Sequence, residues 1–561
     1  MGERPDYTRV DAPARRPSPA EMDQNRISNP VLRGFNPDPS IVRVGEDFFL
    51  ATSTFEWFPG VQIHHSKDLT HWRLAARPLR RPAQLDMRGD PDSCGVWAPD
   101  LTYADGRFWL VYTDVKRFGQ STLDGPTGMT LRDFHNYLVT CDRIDGDWSD
   151  PIHLNSSGFD PALFHDDDGR SWLLNMLWDH RPTKPRFAGI VAQELDRSTG
   201  KLLGERRVIF EGTQRGFTEG PHLYKRDGWY HLLVAEGGTG WEHAVVMARS
   251  RALCGPYEAH PDGAVLTSFG RRDLPLTRAG HGDLVELADG TPWISYLCGR
   301  PLPGRERCVL GRETALQPMH WGDDGWLRTS RGDALPDPAP PAPDLPPAPW
   351  PHTPWNGRFD QPDLPQDLQW LRTPYPEELF SLAARPGYLR LYGRESLGSH
   401  FTQALVARRQ QHFRYTATTR LEFDPGHFQQ AAGLVCYYNS TKFHYLFVTR
   451  DGDARQLQVM SSSPDDGGTS LTTIVPALAR GPIELRVDVD DDALRFAWRE
   501  GDQDWRFTPE VLDASILSDE ASFPGLPNFT GAFVGMACQD LAGTAAPADF
   551  AFFRYEGRDE E

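Results

Sequence analysis

The 561-residue chain has little cysteine, no long apolar run and no excess of positive charge. Its seven cysteines, at 94, 141, 254, 298, 308, 436 and 538, make no CxxC pair and no His–Cys metal spacing, so neither a zinc site nor a dense disulfide framework is indicated. An odd, scattered set suits a reducing compartment, and a cytoplasmic location is expected. The lead-in, residues 1–27, carries Arg, Asp, Glu and Pro without an apolar segment, which reads as neither a secretion signal nor a membrane span. The remainder also lacks a stretch of membrane-spanning length, and no membrane partner is expected. A formal charge of −19 disfavours nucleic acid, whose phosphates need clustered Lys and Arg. A neutral ligand is favoured.

What the chain does have is aromatic surface and a repeat. Aromatics make up 11%, with 17 Trp; blade and sandwich cores account for most of them, and planar apolar faces are also what sugars stack on. Five segments echo one another: Pro37-Asp38-Pro39-Ser40-Ile41, Trp97-Ala98-Pro99-Asp100-Leu101, Asp160-Pro161-Ala162-Leu163, Glu219-Gly220-Pro221-His222-Leu223 and His281-Gly282-Asp283-Leu284. Their aliphatic anchors at 41, 101, 163, 223 and 284 are 60, 62, 60 and 61 residues apart. Each is followed by a turn pair and a hydrophobic run, such as Arg107-Phe108-Trp109-Leu110-Val111-Tyr112. A unit of this length suits a four-stranded blade, so residues 28–335 are read as a five-bladed β-propeller. Radial packing then turns Asp38, Trp97, Asp160, Glu219 and His281 toward a common funnel.

Ten prolines fall between 336 and 354, which neither helix nor central strand tolerates. Residues 336–356 are therefore assigned as an extended linker. From 357 to 561, short alternating runs such as Tyr388-Leu389-Arg390-Leu391-Tyr392 and Ile483-Glu484-Leu485-Arg486-Val487 read as a β-sandwich. The fold class is all-β.

Three carboxylates from different blades, Asp38, Asp160 and Glu219, oppose one another's ionisation if they share a small space. Inverting glycoside hydrolysis needs such a group: a carboxylate base activates water, a protonated carboxylic acid serves the leaving oxygen, and a third carboxylate keeps the acid protonated and oriented. Singly, each acid is as well explained as a turn cap; their recurrence favours the funnel. Phe55 and Trp97 fit blade core as well as the wall of a sugar subsite. His281 reads equally as a core histidine, a hydrogen-bond partner for a sugar, or a water-mediated ligand to a cation.

The runs Asn29 to Ser40 and Thr54 to Leu69, with Gly95-Val96-Trp97-Ala98-Pro99-Asp100, Thr218-Glu219-Gly220-Pro221-His222 and Gly311-Arg312-Glu313-Thr314-Ala315, resemble the β-xylosidases of glycoside hydrolase family 43. The resemblance continues through Ala384 to Gly393 and Phe529 to Gly535. It implies Asp38 as general base, Glu219 as general acid and Asp160 as the residue that tunes and orients the acid. It also implies Phe55, Trp97, Trp178 and Arg312 around the terminal sugar, His281 beneath it, and Phe529 brought from the sandwich to the mouth of the site. The implied activity is inverting exo-acting β-1,4-xylosidase on xylo-oligosaccharides, with some α-L-arabinofuranosidase activity; a non-catalytic carbohydrate-binding propeller and a glycoside phosphorylase remain as alternatives. No cofactor is required, a calcium near His281 is left open, and a homodimer or homotetramer is implied. Two loops depart from the family pattern: the stretch from Gly299 to Gly311 is shorter and that from Phe118 to Thr130 is longer.

Overall fold

Each repeat begins with a hairpin whose tight turn needs a positive φ, and a glycine supplies it at 45, 106, 169, 228 and 290. The computed structural model describes residues 26–118, 132–181, 183–351, 355–522 and 528–558. The hairpin from Ser40–Val44 to Asp47–Thr52 is extended by Gln62–Ser66 and Arg73–Ala76 into the first four-stranded antiparallel sheet. Four further sheets start at Gly95–Ala104, Ala162–His165, Glu219–Arg226 and Thr277–Glu286. Their innermost strands touch in a ring, blade 5 meeting blade 1. The ring is closed by the segment that precedes blade 1: Leu32 donates its N–H to the carbonyl of Thr314 at 3.2 Å and Asn36 to that of Arg312 at 2.9 Å, both on the third strand of blade 5.

Aliphatic and aromatic side chains that alternate along the strands are buried between blades, as at Leu233, Ile294 and Tyr296, each fully inaccessible. Among the described residues there is no α-helix, only two short 3₁₀ turns at Pro376–Glu378 and Ala514–Ile516. Among the described residues no helix is long and apolar enough to cross a membrane. The seven cysteines are all free.

The proline-rich segment is tied down. Its carbonyls at Pro338 and Pro340 accept the N–H groups of Asn29 and Ile27. The Trp350 ring lies 3.8 Å from the Arg73 guanidinium and donates its indole N–H to the carbonyls of His65 and His71. Beyond it, two large antiparallel sheets pack face to face, the alternating strand Ile483–Asp490 giving one of the clearest inward and outward patterns. One feature departs from a division of the chain at the prolines. Trp57–Phe58, from the blade 1 loop, pairs with Gln369–Leu371 and becomes the edge strand of a sandwich sheet. Trp57 stacks on Phe533 with centroids 3.6 Å apart. An unpaired edge there would expose backbone donors and acceptors together with two large aromatic rings. One apolar core therefore runs from blades 1 and 2 into the sandwich.

Candidate active site

The innermost strand of every blade is entered through one left-handed residue: Asp38 (φ +55°), Ala98 (+31°), Asp160 (+54°), Gly220 (+56°) and His281 (+41°). Each stands three positions before an anchor at 41, 101, 163, 223 or 284. For a side chain bearing Cβ this conformation costs on the order of 1–2 kcal/mol, a strain that a functional position can carry. The funnel groups use two adjacent positions, not the single shared point that the repeat led us to expect. Asp38, Asp160 and His281 are the left-handed residues themselves, whereas Trp97 and Glu219 stand one residue earlier. A bulge between Glu219 and His222 accommodates the offset in blade 4.

Both oxygens of Asp38 are held. Oδ1 accepts from Arg312 Nη1 at 2.7 Å and Oδ2 from Ser53 Oγ at 2.7 Å, and His281 Nδ1 lies 3.8 Å from Oδ1. Asp160 Oδ2 accepts the Gly220 N–H at 3.0 Å, which fixes it beside the neighbouring Glu219. Burial, and then the charge of Asp38, push Asp160 up to about 8. Burial, followed by Asp160 and Asp38, raises Glu219 well above the ordinary carboxylate range. Shared burial beside two other acids thus favours the protonated form of Glu219. Burial pushes His281 down to about 4, so it faces the site as a neutral imidazole. Gly220 packs against it closely: a Cβ there would sit 3.0 Å from the ring.

One layer deeper, each anchor is preceded by Ser40, Asp100, Ala162, His222 or Asp283. Asp100 and Asp283 lie 3.4 and 3.6 Å from His222 Nδ1. Burial disfavours the imidazolium, but Asp283 and Asp100 outweigh it and push His222 up to about 9. Among the described residues this is a group of three potential ligands whose donor atoms all lie within 4.8 Å of one another. It does not fit calcium. Its carboxylate oxygens already accept from Ser40, Leu163, Ile41 and Tyr224, and its third member offers a ring nitrogen, whereas calcium needs six to eight oxygens. His281 offers only ring nitrogens, with Asp38 as its nearest carboxylate.

The wall of the funnel is aromatic. Trp97 has Phe118, Phe159, Phe529 and Phe55 at centroid distances of 5.0, 5.4, 5.5 and 5.6 Å. Trp178 joins this group through Phe118 at 6.1 Å and Phe134 at 5.8 Å. Phe529 arrives from the sandwich and is fastened by its backbone: its carbonyl accepts from Arg312 Nη2 at 3.0 Å, and its N–H donates to Ser93 Oγ at 3.1 Å. The Ser93 carbonyl in turn accepts the Trp97 indole N–H at 2.9 Å. Next to Ser93, Asp92 is paired with Arg372 of the sandwich at 2.8 Å.

All nine residues singled out from the sequence therefore lie in or directly around one funnel. Ser53, Phe118 and Phe159 escaped the sequence reading. Phe159 adjoins Asp160 and was available as a signal; Ser53 and Phe118 carry none, because they are brought in by strand pairing across and between blades. The loop from Gly299 to Gly311 runs toward the sandwich, where Arg305 and Arg307 pair with Asp492 and Asp465. Most of the expected long loop, residues 119–131, lies outside the described residues.

The family model for glycosyl hydrolases family 43 matches residues 27–327, and that for the β-xylosidase C-terminal concanavalin A-like domain matches 356–556. The chain is 52% identical to xylosidase/arabinosidase 43B of Humicola insolens over 544 residues, covering 94% of this chain and 97% of that protein. It is 47% identical to a β-xylosidase of Bacillus subtilis strain 168 over 546 residues, covering 95% and 99%. The crystal structure of a xylan β-1,4-xylosidase from Bacillus halodurans C-125 superposes with a TM-score of 0.90 at 48% identity, covering 95% of this chain and all of that one. With a funnel of three interacting carboxylates at the hub of five blades and both family models matched along the chain, the protein belongs to glycosyl hydrolase family 43.

Proposed function

We propose that the chain is an inverting, exo-acting β-1,4-xylosidase that removes xylose from the non-reducing ends of xylo-oligosaccharides, with α-L-arabinofuranosidase activity beside it. One observation carries the reading: Glu219, whose protonated form is favoured by burial, shares a buried site with Asp38, which is anchored through both oxygens. Asp38 takes a proton from the attacking water while Glu219 gives its own to the departing glycosidic oxygen. Asp160 supports this by accepting the adjacent Gly220 N–H, which fixes Glu219, and by raising Glu219 further wherever it ionises. Phe55, Trp97, Trp178, His281, Arg312 and Phe529 line the sugar subsite, their aromatic faces stacking on the pyranose. A lid of one aromatic from the second domain favours short chains over polymer.

NMR of xylobiose hydrolysis tests the reading, because the α anomer of xylose appears first if water attacks opposite the leaving group. First appearance of the β anomer would overturn it, and absence of any xylose would return the chain to a sugar-binding role. A phosphorylase is disfavoured because Arg312 is already engaged by Asp38 and the Phe529 carbonyl; turnover that required phosphate would revive it. The reaction as proposed runs without a metal. EDTA should leave turnover unchanged, and a loss restored by calcium would put a cation near His281. The proposal extends to a cytoplasmic homodimer or homotetramer, which light scattering on the purified chain would measure.

A further inference from the structure

Away from the funnel, a cleft of about 1890 Å³ opens between blades 1 and 2 and the sandwich. Two arginines on its wall share an unusual partner. Arg77 of the propeller donates through Nε and Nη2 to the side-chain oxygen of Gln62, at 3.3 and 2.7 Å. Arg409 of the sandwich donates through Nη1 to the same oxygen at 3.0 Å, and also to Gln369. Two guanidinium groups thus converge on one neutral amide oxygen. Among the described residues neither forms an ion pair with a carboxylate, in contrast to Arg312 with Asp38 and Arg372 with Asp92. The nearest acid acting on both is Asp367, which is 55% exposed and lies 3.6 Å from another arginine, Arg408.

Burial of charge without a counterion is costly, and a second, half-buried guanidinium, Arg77, stands beside that of Arg409. Arg409 is 7% exposed, and its Nη2 finds no hydrogen-bond partner. Burial pushes Arg77 down to about 10 and Arg409 well below its ordinary value. The neighbouring His64 is pushed down to about 3, by burial and then by Arg409 and Arg77, so it adds a neutral ring with an unpartnered Nδ1. Arg33 and Arg73 extend the basic lining. The same cleft also carries Asp142, Asp145, Asp360, Asp363, Asp367 and Glu556, so the unpaired positive charge is confined to the wall where Arg77 and Arg409 meet.

We propose that the cleft binds a compact oxyanion, inorganic phosphate or the carboxylate of a sugar acid, bridging Arg77 of the propeller and Arg409 of the sandwich. Planar forked donors suit both chemistries. Bound there, the anion supplies the missing counterion and ties the domains together. It also braces the segment leading into Asp38, because Arg409 Nε donates to the Phe35 carbonyl at 2.6 Å.

The test is thermal unfolding of the full chain at pH 7 in phosphate, in glucuronate and in chloride at matched ionic strength. A saturable rise of about 2 °C or more over chloride is expected with at least one oxyanion at concentrations far above its Kd. A response to phosphate alone assigns the inorganic anion, and one to glucuronate alone assigns the sugar acid. Arg77→Gln should abolish the rise while leaving xylose release from xylobiose unchanged. Arg409→Lys, which keeps the charge and removes the fork, should weaken binding at least tenfold. No rise with either oxyanion, or the same rise in both variants, would overturn the proposal.

Discussion

Asp38 and Glu219 have different surroundings, and each difference makes a prediction. Asp38→Asn keeps the contacts to Ser53 and Arg312 nearly isosteric but removes the base, so xylobiose turnover should fall by about two to four orders of magnitude with the circular dichroism spectrum unchanged. Glu219→Gln should lose as much on xylobiose, yet far less on an aryl xyloside whose leaving group needs no proton. Equal losses on both substrates would contradict the role of acid. Asp160 is a positioning residue, and its signature is a pH profile. Above about pH 8, where Asp160 ionises, Asp160→Asn takes away the largest charge effect raising Glu219, so the alkaline limb of the rate profile should move to lower pH.

The same group makes stability depend on pH. The folded protein holds the Asp160 proton up to about 8, against an ordinary 3.8. Its contribution to stability is complete below about pH 4, where the unfolded chain is protonated too, and is lost as pH rises from there through about 8. Wild type should therefore lose midpoint temperature relative to Asp160→Asn across that window. Parallel curves for the two proteins would show that the proton is not held.

At the scale of elements, the left-handed entry residue is what aims each inner strand. Gly220 combines a φ of +56° with a Cβ position 3.0 Å from the His281 ring. Gly220→Ala should therefore cost about 1–2 kcal/mol in stability and lower kcat by displacing both the ring and Glu219; unfolding and turnover measured together would check this. The period of the repeat was legible because each anchor must fill the same inner position of its blade. The one-residue offset of Trp97 and Glu219 could be counted from the anchors, but the left-handed backbone at Ala98 and Gly220 could not, because it is set by packing around the hub. The edge strand Trp57–Phe58 was likewise invisible: two residues carry no periodicity, and their partners Trp370 and Leu371 lie over three hundred positions away.

For the whole molecule, the funnel is a product of both domains. A chain ending at residue 335 would lose Phe529, the backbone acceptor of Arg312, and the sheet that pairs with Trp57–Phe58. Expressed alone, it should aggregate or show no xylosidase activity, and a soluble, active propeller would refute the dependence. The amino-acid sequence by itself determined the five-fold repeat, the all-β class and the residue types at the hub, because strand patterning, turn glycines and a sugar-cleaving carboxylate set are local or periodic properties. Tertiary structure alone decided which side chain shares charge with which. Arg312 from the last blade meets Asp38 from the first, Arg372 reaches back to Asp92, and Arg77 and Arg409 crowd one amide, since proximity across a closed ring and a domain junction is fixed by packing and leaves no mark on spacing along the chain.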